Sequence, residues 1–213
     1  MQRIKTLVWA QLFIIYTRYL LGGTFVFASL IKIKGKRFTS DSGAANPIDS
    51  AWHFFETMYQ SGLYWKFIGI GQLVAGCLLM TQRYAKLGAL AYFTIIANIF
   101  VITLSYDFAY TPVVTGLMLL ANLCLILWDW DQLKVLFNLP ATVDYSLRLE
   151  KDQLWEITGI SLFFFTFFYR LFVVRYNLFF WLLICAAIGT TGLIIGLYRE
   201  RKRQPRKVLS VTR

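Results

Sequence analysis

This sequence is short of charge, and of acid above all. Asp and Glu number 11 against 22 Lys and Arg, and charged residues make up 15% of the 213-residue chain. A typical soluble domain carries about 25%. A globule of this size needs more polar residues than that to cover its surface, so an ordinary soluble enzyme is excluded. The 58% hydrophobic content equally excludes a disordered chain. There is one histidine, His53, which rules out bis-histidine haem ligation and any His-rich metal site made by this chain alone. Cysteine is scarce as well. Cys77, Cys124 and Cys185 each lie inside an apolar run, and no two have the two-residue gap of a redox or zinc motif. A disulfide-rich secreted domain is therefore excluded, and each cysteine reads as a small hydrophobe. No dithiol, nucleophile–base pair or nucleotide-binding glycine loop is visible.

What is present is apolar, with a mean hydropathy of +0.56. A helix crossing a hydrocarbon core of about 30 Å needs about 20 apolar residues. Six runs meet that length, at 7–31, 64–81, 85–105, 111–128, 155–174 and 178–198. The first is too long for a signal peptide, carries Arg18 and shows no small-residue cleavage site, so it reads as a span. The expected fold is all-α and polytopic. The very short turn at Arg83 and Lys86 forces a hairpin, and the 105–111 turn is also short, so runs two to four pack as consecutive neighbours. Residues 129–152, rich in acid and broken at Leu139-Pro140, divide a four-helix core (1–137) from a C-terminal transmembrane hairpin with a basic tail (138–213). The 32–63 connection contains a short amphipathic helix at about 48–60, with Asp49 or Ser50 near its N-terminus. Trp52, Phe55 and Tyr59 recur there at helical spacing, which puts it on the membrane surface or across the bundle.

The net charge of +11 follows the spans, which favours topology over nucleic acid as its explanation. With the N-terminus inside, the inner segments hold Arg3, Lys5, Arg83, Lys86, Lys134, Arg148, Lys151 and the seven basic residues of 199–213. The outer ones hold Lys32, Lys34, Lys36, Arg37, Lys66, Arg170 and Arg175. The inside excess predicts both termini cytoplasmic. The Lys32–Arg37 cluster opposes this, and snorkelling from the first helix accounts for part of it.

Polar groups at membrane depth need partners. Arg18 costs about 2.5–3.5 kcal/mol on insertion scales at a helix centre, so it faces protein or water. Glu56 and Asp107 are its candidate partners. It reads either as a structural ion pair or as a site for an anionic or quinone-like head group. Gly69, Gln72 and Gly76 share one face of the second run; Thr94, Asn98 and Ser105 one face of the third; Thr115 and Asn122 one face of the fourth. These stripes read as interhelical packing and hydrogen bonding, or as the lining of a polar cavity near Arg18. Gly192 and Gly196, four apart, form a close-packing face for the fifth helix or another subunit. The Phe-rich 162–169 reads as lipid-facing or packing surface. His53 and Glu56 could shuttle a proton, but no second ligand set accompanies them for a metal.

The stretch Arg18-Tyr19-Leu20-Leu21-Gly22, followed by Phe25, Ser29 and Lys32, resembles the first helix of the DoxX-like membrane proteins. Gly69-Ile70-Gly71-Gln72, with Gly76, Leu78, Leu79, Arg83, Leu87 and Gly88, resembles their second and third helices. The resemblance covers about 15–137. It implies a four-helix core in a bacterial cytoplasmic membrane, and relatives that serve quinone-linked oxidoreductases or oxidative-stress complexes. Many such proteins carry an acidic residue near the position of Gln72, whose amide removes a proton acceptor. The expected function is a non-catalytic binding or accessory subunit. It would hold a lipid, a quinone or a partner protein near Arg18, Glu56, Gln72, Asn98 and Asn122, with no cofactor of its own and with oligomerisation open. The alternative is the membrane subunit of a quinone-linked oxidoreductase whose redox centres sit on a soluble or membrane partner.

Overall fold

The computed structural model describes residues 2–39, 41–140, 149–173 and 175–211. Nine α-helices occur among them: α1 (Gln2–Lys5), α2 (Val8–Ile33), α3 (Ala51–Gln60), α4 (Leu63–Met80), α5 (Ala85–Ser105), α6 (Thr111–Trp128), α7 (Trp130–Leu133), α8 (Gln153–Phe172) and α9 (Leu178–Val211). Short 3-10 turns lie at Lys134–Phe137 and Leu149–Lys151, and no strand occurs among the described residues. Arg148 of the linker, Val174 at the end of the fifth run and Arg213 of the tail lie outside them.

Six of the helices are long and apolar enough to cross a membrane: Val8–Ile33, Leu63–Met80, Ala85–Ser105, Thr111–Trp128, Gln153–Phe172 and Leu178–Glu200. They correspond to the six runs in the sequence. Large apolar side chains cover the outside of the bundle, among them Phe13, Leu20, Leu87, Leu117 and Phe179, each more than half exposed. That mantle suits hydrocarbon and not water, and the chain fits a multi-pass membrane protein.

The packing centres on α2. In its 18-residue apolar stretch 67% of the residues are buried, against 17% in those of α6 and of Leu178–Glu200. It packs on α4 and α6 on one side and on α8 on the other, while α4 meets α5 and α5 meets α6. One core cluster joins Leu21 and Phe25 to Leu79, Tyr92, Ile96 and Leu125. The other joins Ile15, Tyr19 and Val26 to Met80, Trp155 and Leu162. The C-terminal hairpin thus shares α2 with the first four spans. The bundle has two ends. The basal end holds the starts of α2, α5 and α8 and the finishes of α4 and α6; the apical end holds the reverse.

Close approach depends on small residues. A Cβ on Gly76 would lie 2.7 Å from the Gly22 carbonyl oxygen, and one on Gly69 would lie 3.0 Å from the Ser29 carbonyl oxygen, so α4 lies backbone to backbone on α2. Gly88 presses on α4, where its Cβ would fall 2.6 Å from the Leu79 nitrogen. Gly192 and Gly196 seat α9 against Thr158 and Trp155 of α8. Of the two partners open for that face, this one is the fifth spanning helix.

At the apical end α3 caps the bundle. Ser50 is its N-cap, with Oγ accepting from the His53 backbone N–H at 3.2 Å. Trp52 meets Phe108 edge-on, and the rings of Phe55 and Phe54 lie tilted against Phe108 and Tyr106, so the amphipathic segment lies over the α5–α6 turn.

Gly76→Val puts methyl groups into the α2 backbone and should cost roughly 1–3 kcal/mol. Gly23 has open space around its Cα, so Gly23→Ala should be neutral. Unfolding midpoints in mild detergent check the contrast, and equal effects of the two changes would contradict the packing described.

Candidate binding site

Arg18 is 1% exposed. Its Nη1 donates to Glu150 Oε2 at 2.5 Å and to Gln82 Oε1 at 3.0 Å, and its Nη2 donates to Asp129 Oδ2 at 2.8 Å. The expected pairing with Glu56 or Asp107 is therefore replaced by two carboxylates from the opposite end. The reason is register. α2 starts below its neighbours, tied down by the Lys5–Asp131 ion pair at 2.7 Å. Gln11 helps, donating to the Lys5 carbonyl at 2.8 Å and accepting the Leu149 N–H at 2.7 Å. Eleven residues into α2, Arg18 is level with the α4–α5 turn, the end of α6 and the approach to α8. It sits at the basal mouth of the bundle and not at its middle.

Gln82 takes part from a left-handed backbone conformation, φ 57°, unusual for a residue with a Cβ. Asp129 is 3% exposed at the junction of α6 and α7. The sequence reading missed Gln82, Asp129 and Glu150. The available signal was the acid-rich 129–152 stretch, the nearest carboxylates on the side of the turn after α4.

Glu56 lies at the apical end, 3% exposed. Arg37 grips it in a bidentate pair, Nε to Oε2 at 2.8 Å and Nη2 to Oε1 at 2.9 Å. Gln60 Nε2 and the Gly43 N–H add further donors. The Arg37 hydrogen bonds, with help from those donors, hold its carboxyl down at about 2, against the opposing effect of burial. With both oxygens engaged, Glu56 is not aligned to take a proton from His53.

The polar stripes divide. Asn122 is fully buried and donates through Nδ2 to the Ala89 carbonyl at 3.2 Å, and the Thr115 and Thr103 hydroxyls meet at 3.0 Å. The α6 stripe therefore holds α5. Gln72 is buried on the α4 face that carries Gly69 and Gly76, and its Oε1 has no partner among the described residues. Asn98, with Thr94 and Ser105, is exposed on the outer face of α5. The buried face of α5 is Ala85, Gly88, Ala89, Tyr92, Ile96 and Thr103. Arg18, Glu56, Gln72, Asn98 and Asn122 thus do not converge on one pocket.

The cavity lies elsewhere. A lateral groove of about 330 Å³ opens between α2, α8 and α9, within the range of about 300–1,000 Å³ common to ligand sites. Gly23 of α2 and Cys185, Ala186 and Gly189 of α9 leave the space. Hydrogen bonds close both ends. Tyr16 Oη donates to the Gly189 carbonyl at 2.6 Å, and Trp181 Nε1 donates to Thr166 Oγ1 at 3.1 Å. Tyr19 Oη donates to the Trp155 carbonyl, and Thr190 Oγ1 to the Ala186 carbonyl. The polar hydrogens around the groove are thus consumed internally, and what remains suits an apolar chain.

No family model and no solved structure matches the chain. Over 94 residues it is 36% identical to the uncharacterized protein YwoB of Bacillus subtilis (strain 168), a match covering 44% of this chain. It spans 57% of that relative's length.

Two outcomes check these sites. Arg18→Met strips buried Asp129 and half-buried Glu150 of their shared cation and should cost about 3–5 kcal/mol of stability, read by denaturant titration in detergent; an unchanged midpoint contradicts the network. Glu56 has a folded pKa below its ordinary 4.5, so its stabilisation is complete above about 4.5 and is lost as pH falls through about 2. Carbon NMR should show this carboxyl titrating near 2 in the parent and higher in Arg37→Gln; the same midpoint in both would exclude the clamp.

Proposed function

We propose that this chain is a non-catalytic, membrane-embedded binding or accessory subunit that holds the apolar tail of an amphiphile in the lateral groove. The groove carries this reading. Its volume, its small-residue floor and its internally satisfied rim favour a hydrocarbon or isoprenoid chain. A quinone could lodge its tail there, but a quinone ring needs hydrogen-bond donors for its carbonyls, and those at the rim already have acceptors. The oxidoreductase reading would also need redox centres on a partner. Arg18 in this account is structural.

The setting we propose is a bacterial cytoplasmic membrane, with the basal end and both termini on the cytoplasmic side. The basic residues of α1, the α4–α5 turn and the 199–213 segment support that orientation. The four-helix part is proposed to be DoxX-like, on the residues of α2, α4 and α5 that carry the resemblance.

The test is direct. The chain is purified from its native membrane in mild detergent, extracted with organic solvent, and its amphiphiles are counted by mass spectrometry. One amphiphile per chain should be retained, and Ala186→Phe, which fills the groove from an exposed position, should release it while leaving the helix content unchanged. Only non-stoichiometric bulk lipid in both proteins would overturn the proposal.

A further inference from the structure

Above the groove, the apical end gathers three cations, Lys34, Lys36 and Arg170, with no carboxylate paired to them among the described residues. Arg170, in the last turn of α8, is only 7% exposed. Its guanidinium lies between the rings of Phe27, at 4.3 Å, and Tyr176, at 4.2 Å, and its Nε donates to the Phe27 carbonyl at 3.4 Å. Lys34 Nζ donates to the carbonyls of Arg170 and Leu171, both at 2.6 Å, at the C-terminal end of α8. Lys34, Lys36 and Arg170 line a second cavity of about 70 Å³, several times the roughly 10–15 Å³ that one water needs. None of the three is ion-paired among the described residues. Arg18, equally buried, has two carboxylates. Burial, with the neighbouring charges of Lys36 and Arg170, pushes the Lys34 ammonium down from its ordinary value. The cations therefore act on one another.

The two cavities are joined. Thr166 at the apical end of the groove and Arg170 are four residues apart on one face of α8, about 6 Å along its axis. Phe27 is the shared wall, with its ring 4.8 Å from Trp181 and 4.3 Å from the Arg170 guanidinium. On α9 the groove runs from Trp181 to Thr190, about 13–14 Å of helix. That is close to half of a hydrocarbon core about 30 Å thick, the depth of one leaflet.

We infer that the combined site binds a lipid of the apical leaflet that carries an anionic phosphate headgroup, with the phosphate among Lys34, Lys36 and Arg170 and one chain lying along the groove. This rests on the groove reading above and adds the headgroup. A guanidinium beside two ammonium groups matches phosphate oxygens in charge and geometry. The same cations supply a reason for positive charge at Lys34 and Lys36 on the side of the membrane where topology disfavours it.

The full chain in mild detergent is given phosphatidylglycerol, phosphatidylcholine or inorganic phosphate, and the unfolding midpoint and the lipid retained per chain are read. Phosphatidylglycerol should raise the midpoint and stay bound, phosphatidylcholine should bind at least about 10-fold more weakly, and inorganic phosphate should do nothing. Lys34→Gln/Lys36→Gln, at two exposed positions, should weaken phosphatidylglycerol on the order of 10-fold and leave phosphatidylcholine unchanged. Arg170→Gln should abolish the remaining preference; if that variant does not fold, the exposed pair decides. Equal retention of the two lipids, or an undiminished preference in the double variant, overturns the headgroup and leaves the groove. An equal shift from inorganic phosphate overturns the lipid. Retention of neither lipid, with Ala186→Phe without effect, overturns the groove reading itself.

Discussion

A guanidinium on an apolar helix cannot be left to hydrocarbon, and the way Arg18 is satisfied organises the basal end of this protein. Its three partners arrive from three connections: the α4–α5 turn through Gln82, the α6–α7 junction through Asp129, and the approach to α8 through Glu150. One side chain therefore fixes where α4 stops, where α6 stops and where α8 begins. Gln82 makes this contact from a left-handed backbone, its Oε1 accepting from Arg18 Nη1. Removal of the cation would leave the buried Asp129 carboxylate and the half-buried Glu150 carboxylate without it, so the cluster is stable as a unit and costly in parts.

The same arrangement makes the groove. α8 is fastened to α2 at its base by the Tyr19–Trp155 hydrogen bond and at its apex by Arg170 on the Phe27 carbonyl. α9 is seated near its basal part through Gly192 and Gly196 on α8, with Tyr16 reaching Gly189. Between these fastenings Gly23 of α2 and Cys185, Ala186 and Gly189 of α9 leave a gap, and α9 stands off α2. A gap kept open by anchors at both ends is preorganised, so an apolar chain can enter without repacking the core.

Much of the fold was legible. Length and hydropathy found six spans, because the cost of unsatisfied backbone in hydrocarbon leaves helices few alternatives. The close-packing glycines were legible because small residues let two apolar helices approach, and the start of α3 was narrowed to Asp49 or Ser50. The partners of Arg18 were not. Asp129 and Glu150 lie 111 and 132 residues away along the chain, and nothing local gives the vertical offset of α2 that makes them neighbours. On α5 the stripe of Thr94, Asn98 and Ser105 does not mark the packed face. Thr94 and Ser105 satisfy their hydroxyls on carbonyls of their own helix, so they need no neighbour, and the small residues Ala85, Gly88 and Ala89 mark the contact instead. The groove left no motif, because it is a gap between helices that meet only in the folded bundle.

The account depends most on Arg18 and Asp129 acting as one unit, and a double-mutant cycle measures that. Arg18→Met, Asp129→Leu and the double variant are compared by unfolding free energy in one detergent. The account predicts that the double variant is clearly more stable than the sum of the two single losses implies, with a coupling of about 0.5–3 kcal/mol. Strictly additive losses would contradict it, because the two residues would then be buried near each other without depending on each other.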